Sequence, residues 1–303
     1  MANLHYADIG DVWKHLHLAE VLAIDPPRRY LESHSGSSSY PLTGSRERDY
    51  GALRFASRAA RSPALESSAY RRLLAEYGGD GETPTTYPGS PLIAMRLLGR
   101  REGRAGGARF VFCDFDGNSL STISADARRL GLPEDRLRLV KGDGISEINR
   151  QLASLSEEEV DATFLHVDPY QPLEAGEDGA TSLDLVGRAA TLGAKCMLWY
   201  GFDSVRDRDA LRIALRSLAD ASRNGGNEEH RSPWYGEVSL RADSISEVGF
   251  DPGVLGCGVL LCNVGERVLA ACERLGEGLA QIYAGARLPN GADGSLAFER
   301  GQL

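Results

Sequence analysis

Lysine is nearly missing from this chain. Its 303 residues include three, Lys14, Lys141 and Lys195, so almost every fixed positive charge is arginine. Of the three, Lys14 is the one whose loss is expected to affect function. No stretch of about twenty apolar residues occurs, which excludes a membrane-spanning helix. The first residues, MANLHYADIGD, lack the basic and apolar regions of a secretory signal, and a cytoplasmic location is expected. The five cysteines show no C-x-x-C spacing, which argues against a zinc knuckle or a disulfide framework and for buried thiols; no metal site is expected. No internal repeat is visible, so a solenoid is excluded.

Positive charge is also scarce in sum. The net charge of −9 excludes a surface that grips polyanions everywhere. From Arg46 to Arg104, however, eleven arginines face seven acids, so one segment is basic and the remainder acidic. Those arginines are either solvated helix faces or a surface for a phosphate, a sulfate or RNA.

What is present is a chain that is 42% hydrophobic, long enough for a full α/β core. The stretch FLHVDPYQP (164–172) organises it. A buried parallel strand halts at Asp168-Pro169, because proline cannot continue the ladder and bars its predecessor from helix. Asp168, Pro169 and Tyr170 thereby gather at the carboxyl end of a central strand, where open α/β sheets bind ligands.

Around it the periodicities alternate. Residues 6–22 stripe Val12, Leu16, Ala19 and Leu22 as an amphipathic helix. The first strand, 29–33, breaks into a small-residue loop containing Gly36 and Ser38, the kind of loop that lets backbone N–H groups approach a ligand. Two helices are predicted between 46 and 78, followed by a linker over 78–85. Strands at 108–116, 136–144, 162–170 and 195–202 alternate with helices, and EVSLRAD and GCGVLLCNV form an antiparallel pair before a closing helix. The predicted fold is α/β, a Rossmann-like seven-stranded mixed sheet, with its core in 1–45 and 87–303 and an inserted helical subdomain in 46–86. His166, inside a strand, reads as a core histidine; Trp13 and Trp234 read as packing residues, while Trp199 ends a strand and can wall a pocket. His230 reads as loop, and 174–182 as a mobile flap. Acids end successive strands: Asp114 or Asp116 suits ribose hydroxyls, and Asp143, between two glycines, suits an adenine amino group.

These motifs resemble, in order and over nearly the whole chain, the large-subunit ribosomal RNA adenine-N6 methyltransferases of the RlmJ type. YPGSPLIA (87–94) carries the likeness most specifically, supported by DVWKH (11–15), ESHSGSSSY (32–40), Asp114, GDG (142–144), DPY (168–170) and LWY (198–200). The resemblance implies a class I methyltransferase fold and S-adenosylmethionine as cofactor. Lys14, His15 and His34 would lie near its methionine end, Asp114 at the ribose and Asp143 at the adenine, and Asp168 would receive the target amine. Tyr87 and Trp199 are candidate substrate walls, and Arg54 and Arg58 candidate anion partners. The family's D-P-P-Y is D-P-Y-Q here, its loop's leading aspartate is Glu32, its second loop glycine is Ser38, and its late N-P-P is NVGE (263–266). Three functions follow. One is methylation of a small amine-bearing molecule in specialised metabolism. Another is methylation of ribosomal RNA. The third is a scaffold that has lost methyl transfer, either doing other chemistry on an anionic amine or supporting a partner subunit.

Overall fold

A computed structural model describes residues 5–78, 84–99, 107–224, 232–240, 255–288 and 291–303. Most of the predicted linker over 78–85, and His230, lie outside them.

The chain opens with α1 (Ile9–Ile24), N-capped by Asp8, whose side chain accepts from the Asp11 N–H. Strand β1 (Arg29–Glu32) follows, then β2 (Ser39–Pro41) and four short helices, α2 (Arg46–Tyr50), α3 (Ala52–Arg58), α4 (Pro63–Glu66) and α5 (Ala69–Ala75). Where periodicity predicts two helices, divided at Ser62-Pro63, there are four: Gly51 interrupts the first, and Ser67 and Ser68, which cap α4 and α5, interrupt the second. Their apolar faces, through Tyr50, Phe55, Leu65, Tyr70 and Leu74, join the same hydrophobic cluster as the sheet. β3 (Thr86–Pro88) pairs antiparallel with β2, setting Tyr87 opposite Tyr40.

α6 (Ser90–Leu98), β4 (Arg109–Asp114), α7 (Gly117–Arg129), β5 (Leu137–Lys141), α8 (Gly144–Leu152), α9 (Glu157–Asp161) and β6 (Thr163–Val167) come next. The chain continues through α10 (Ser182–Leu192), β7 (Lys195–Phe202), α11 (Val205–Asn224), β8 (Trp234–Leu240), β9 (Gly256–Cys262), α12 (Glu266–Tyr283) and β10 (Leu296–Gln302). Eight strands form one sheet in the order β10-β8-β9-β7-β6-β1-β4-β5. The five from β5 to β7 run parallel, whereas β9 is antiparallel to both β7 and β8. This is a Rossmann-like, class I methyltransferase fold. The eighth strand, β10, pairs with β8 and extends the predicted seven; its alternating, largely polar pattern gives a weak hydrophobic signal.

All five residues of β6 are buried, as a parallel strand covered on both faces requires. Burying Phe164, Leu165 and Val167 contributes about 1.5–3 kcal/mol each. β6 and β4 flank β1, so the winding direction reverses there, and the switch-point crevice opens beyond their carboxyl ends. All five cysteines are buried. Among the described residues no helix is long and apolar enough to cross a membrane.

Candidate functional site

A cavity of about 1050 Å³ opens at this crevice. The turn after β6 sends Asp168, Pro169 and Tyr170 to its wall, and the first turns of α1 supply Asp8, Asp11, Lys14 and His15. Lys14 Nζ lies 2.5 Å from Asp168 Oδ2 and 2.8 Å from Asp11 Oδ1, so one nearly buried ammonium joins α1 to the end of β6. Burial opposes its charge, but the two carboxylates overcome that and hold the lysine well above its ordinary range. Asp11 Oδ2 in turn accepts the N–H of Ala7, a residue in the left-handed region at φ 61°.

His15 is 2% exposed and its Nδ1 lies 2.7 Å from the Tyr87 hydroxyl; its Nε2 has no partner among the described residues. Burial, helped by the Lys14 charge, drives its pKa well down, so it is neutral. Tyr87 is wholly buried, between His15 and the Tyr70 hydroxyl. It therefore stands behind the cavity wall rather than in it.

The loop after β1 closes against β4. Asp114 accepts the Gly36 N–H (2.8 Å) on one oxygen and the Asp116 N–H (2.7 Å) on the other, while Asp116 caps α7. His34, Gly36, Asp114 and Asp116 all line the cavity. Burial lowers the His34 pKa against the pull of Asp168 and Asp114. YPGSP is explained here. Gly89 passes so close to this loop that a Cβ would sit 2.2 Å from the Ser37 carbonyl, and its N–H donates to Ser38 O. Gly89, not Ser90, is the helix cap; the Ser90 hydroxyl instead donates to Glu32 at 2.5 Å.

Ser38 turns away from the cavity. Its hydroxyl donates to Asp126 (2.6 Å) and its N–H to Thr122, so neither group approaches a ligand as the small-residue loop predicts. Asp143 is also absent from the lining. It caps α8, accepting from Ile145 N–H and the Ser146 hydroxyl, and takes the Glu177 N–H of the 174–182 segment. Arg54 and Arg58 lie elsewhere: the Arg54 guanidinium sits 5.1 Å from the Tyr283 ring centroid, and neither side chain reaches the cavity. Of the named residues, then, Lys14, His15, His34, Gly36, Asp114, Asp168, Pro169, Tyr170 and Trp199 come together.

Three further residues join the cavity lining: Asp8, Asp11 and Phe115. The first two were visible as an N-cap and an i,i+3 partner of Lys14. Phe115, 63% exposed between two acids, lies beyond the end of β4 rather than in it. Beneath the cavity, Glu32 and His166 are both fully buried and 2.9 Å apart. Glu32 also receives the Tyr30 hydroxyl (3.1 Å), so the histidine has the core role its strand position predicts.

No family model matches the chain, nor does any curated protein. Among solved structures it is similar to protein LPL1258 from Legionella pneumophila str. Philadelphia 1, described by the family model DUF519. The two are 20% identical with a TM-score of 0.67, over 98% of each chain. At that identity the likeness concerns the fold. Weaker likenesses are to a SAM-dependent methyltransferase from Agrobacterium tumefaciens (16% identity, 82% of this chain and 59% of that one, TM-score 0.36) and to the O-methyltransferase TomG from Streptomyces achromogenes in complex with SAM (12%, 82% and 79%, TM-score 0.36).

Proposed function

We propose that this chain is an S-adenosylmethionine-dependent N-methyltransferase that acts on a small amine-bearing molecule. The sign of the cavity carries the reading: among the described residues its lining holds seven carboxylates against one lysine and no arginine. Such a site favours a sulfonium and an amine, both cationic in water, and repels a phosphate backbone. This is why a small amine fits better than the ribosomal RNA that the RlmJ resemblance implies.

The residues present fit the cofactor at its ribose end. Asp114 spends one acceptor position on each oxygen, and a carboxylate has about four, so two remain for hydroxyls. Phe115 offers a flat apolar face beside it for a purine. Asp143 is already engaged by three donors, so it is left out of the binding set. When bound, the cofactor supplies an electrophilic methyl group. The arriving ammonium first gives one proton to water; Asp168 then accepts an N–H of the neutral amine and thereby aims its lone pair, with the Pro169 carbonyl as a second acceptor beside it. The ion pair with Lys14 holds Asp168 in place, so the carboxylate orients the nucleophile and the product's surplus proton passes to water.

The test is incubation of the purified protein with methyl-labelled S-adenosylmethionine and a library of small amines, beside Asp168→Asn. Label in an amine, lost in the variant, is expected. Cofactor binding without transfer to any amine would favour the scaffold reading, and salt-sensitive labelling of ribosomal RNA would favour the RNA enzyme.

A further inference from the structure

The cavity has a second lobe that the cofactor does not need. It lies over β7, β9 and β8 on the far side of Asp168, walled by Ile9, Trp199, Val238, Leu240, Leu255 and Leu296. This apolar lining ends in acids contributed by separate elements: Asp8 before α1, Glu47 of α2 and Asp203 after β7. Glu47 has His5 within 3.4 Å, and Asp11 is taken by Lys14. Lys14, 6.0 Å from the Trp199 ring centroid, is itself held by Asp11 and Asp168.

Asp8 and Trp199 are brought together by a missing side chain. A Cβ on Gly10 would sit 3.2 Å from Asp8 Oδ1 and 3.2 Å from Trp199 Cζ2, so the carboxylate and the ring edge are no farther apart than twice that distance. Gly201 lets the same ring lie flat from β7, where a Cβ would stand 3.1 Å from Cη2. A carboxylate beside an apolar indole is a setting for a cation on an apolar frame, by charge and by packing of the frame on the ring.

We infer that this lobe binds an apolar or aromatic small molecule whose far end carries a second protonated amine, seated between the Asp8 carboxylate and the Trp199 ring. The inference rests on the reading of Asp168 as the residue that receives the first amine, and it narrows the substrate class to amines with two cationic ends. Burial and the Asp11 charge raise the Asp8 pKa to about 6, against the pull of the Asp11 N–H and of Lys14, so an arriving cation relieves an acid that is otherwise costly to ionise.

Calorimetry with two probes tests it: p-xylylenediamine, and 4-methylbenzylamine, which has the same ring with one amine replaced by methyl. Each is titrated in the presence of S-adenosylhomocysteine. The diamine is expected to bind at least ten-fold more tightly to the native protein. The preference should vanish in Asp8→Asn, which still caps the helix, and in Gly10→Ala, which fills the gap at a helical position where alanine is favoured. Affinity for S-adenosylhomocysteine should be unchanged in both. Equal or absent binding of the two amines, or a preference that survives Asp8→Asn, overturns the inference. A diamine preference without methyl transfer leaves the lobe assigned and refutes the methyltransferase reading; transfer without the preference does the reverse.

Discussion

The two halves of the cavity are built on opposite terms. On the β1–β4 side the polar groups are already engaged: Asp114 and Asp116 bind backbone, Ser37 meets Ser119, and Ser38 is tied to Asp126. On the β7–β8 side the wall is apolar and the acids at its edge come from three separate segments. Lys14 stands at the junction, shared between Asp11 and Asp168. Polar groups that satisfy one another fix a shape; a half-desolvated acid at an apolar wall waits for a partner. Substitution of the committed serines on the first side should therefore show in stability, and that of the acids on the second in ligand binding.

The junction should give the largest effects. Asp168→Asn keeps the shape of the turn and removes the ionic acceptor, so methyl transfer is expected to fall at least about 100-fold with little change in melting temperature. Lys14→Met leaves Asp11 and Asp168 facing each other without their cation and should cost about 3 kcal/mol in urea unfolding, as well as activity. A Lys14→Met protein as stable as the native one would show that the ammonium does not hold the two halves together.

Beneath both halves, the Glu32–His166 pair ties β1 to β6. Glu32→Gln keeps the volume but replaces one acceptor oxygen of a fully buried hydrogen-bonded contact by an amide, and a loss of about 2–3 kcal/mol is expected by denaturant titration. An effect confined to activity would place Glu32 with the ligand groups instead.

Asp8 tests the other side through pH. Its folded-state pKa, about 6, lies above the ordinary 3.8, so the folded state binds the proton more tightly than the unfolded chain does. That contribution favours folding below about pH 4 and is lost as pH rises through 6. Asp8→Asn should accordingly be more stable than the native protein at pH 8, by about 1–2 kcal/mol once water in the cavity is allowed for, and no more stable at pH 4. Thermal melts at the two pH values check it.

Much of this was legible in the chain, for reasons that can be named. Strands such as KCMLWYGF are continuous apolar runs bounded by breakers, and β7 spans the same residues, 195–202. Asp168 reads as a strand-end acid because proline fixes where β6 must stop, and β6 ends at Val167. Asp143 misled because an acid between two glycines at a strand end looks alike whether it caps a helix or faces a ligand; only the contact with Glu177, 34 positions away, separates the two. Tyr87 lies in the most specific motif yet is buried, since that motif shapes the loop's backing rather than the cavity surface. The Asp8–Trp199 juxtaposition joins residues nearly 200 positions apart, and nothing in the local pattern of either announces it.

Ser38 gives the smallest effect and the cleanest separation of the two sides. Read along the chain, a serine in place of a loop glycine suggests an obstructed cofactor, which Ser38→Gly would relieve. In the fold the hydroxyl donates to Asp126, an acid 4% exposed whose other partners are Ser39 and Arg129. Glycine there removes one charge-assisted bond and loosens the backbone, so a loss of about 1 kcal/mol is expected, with S-adenosylhomocysteine affinity unchanged by calorimetry. Tighter cofactor binding in Ser38→Gly would mean that the loop's polar groups are not committed to the fold, and the contrast between the two halves would fail where it is easiest to measure.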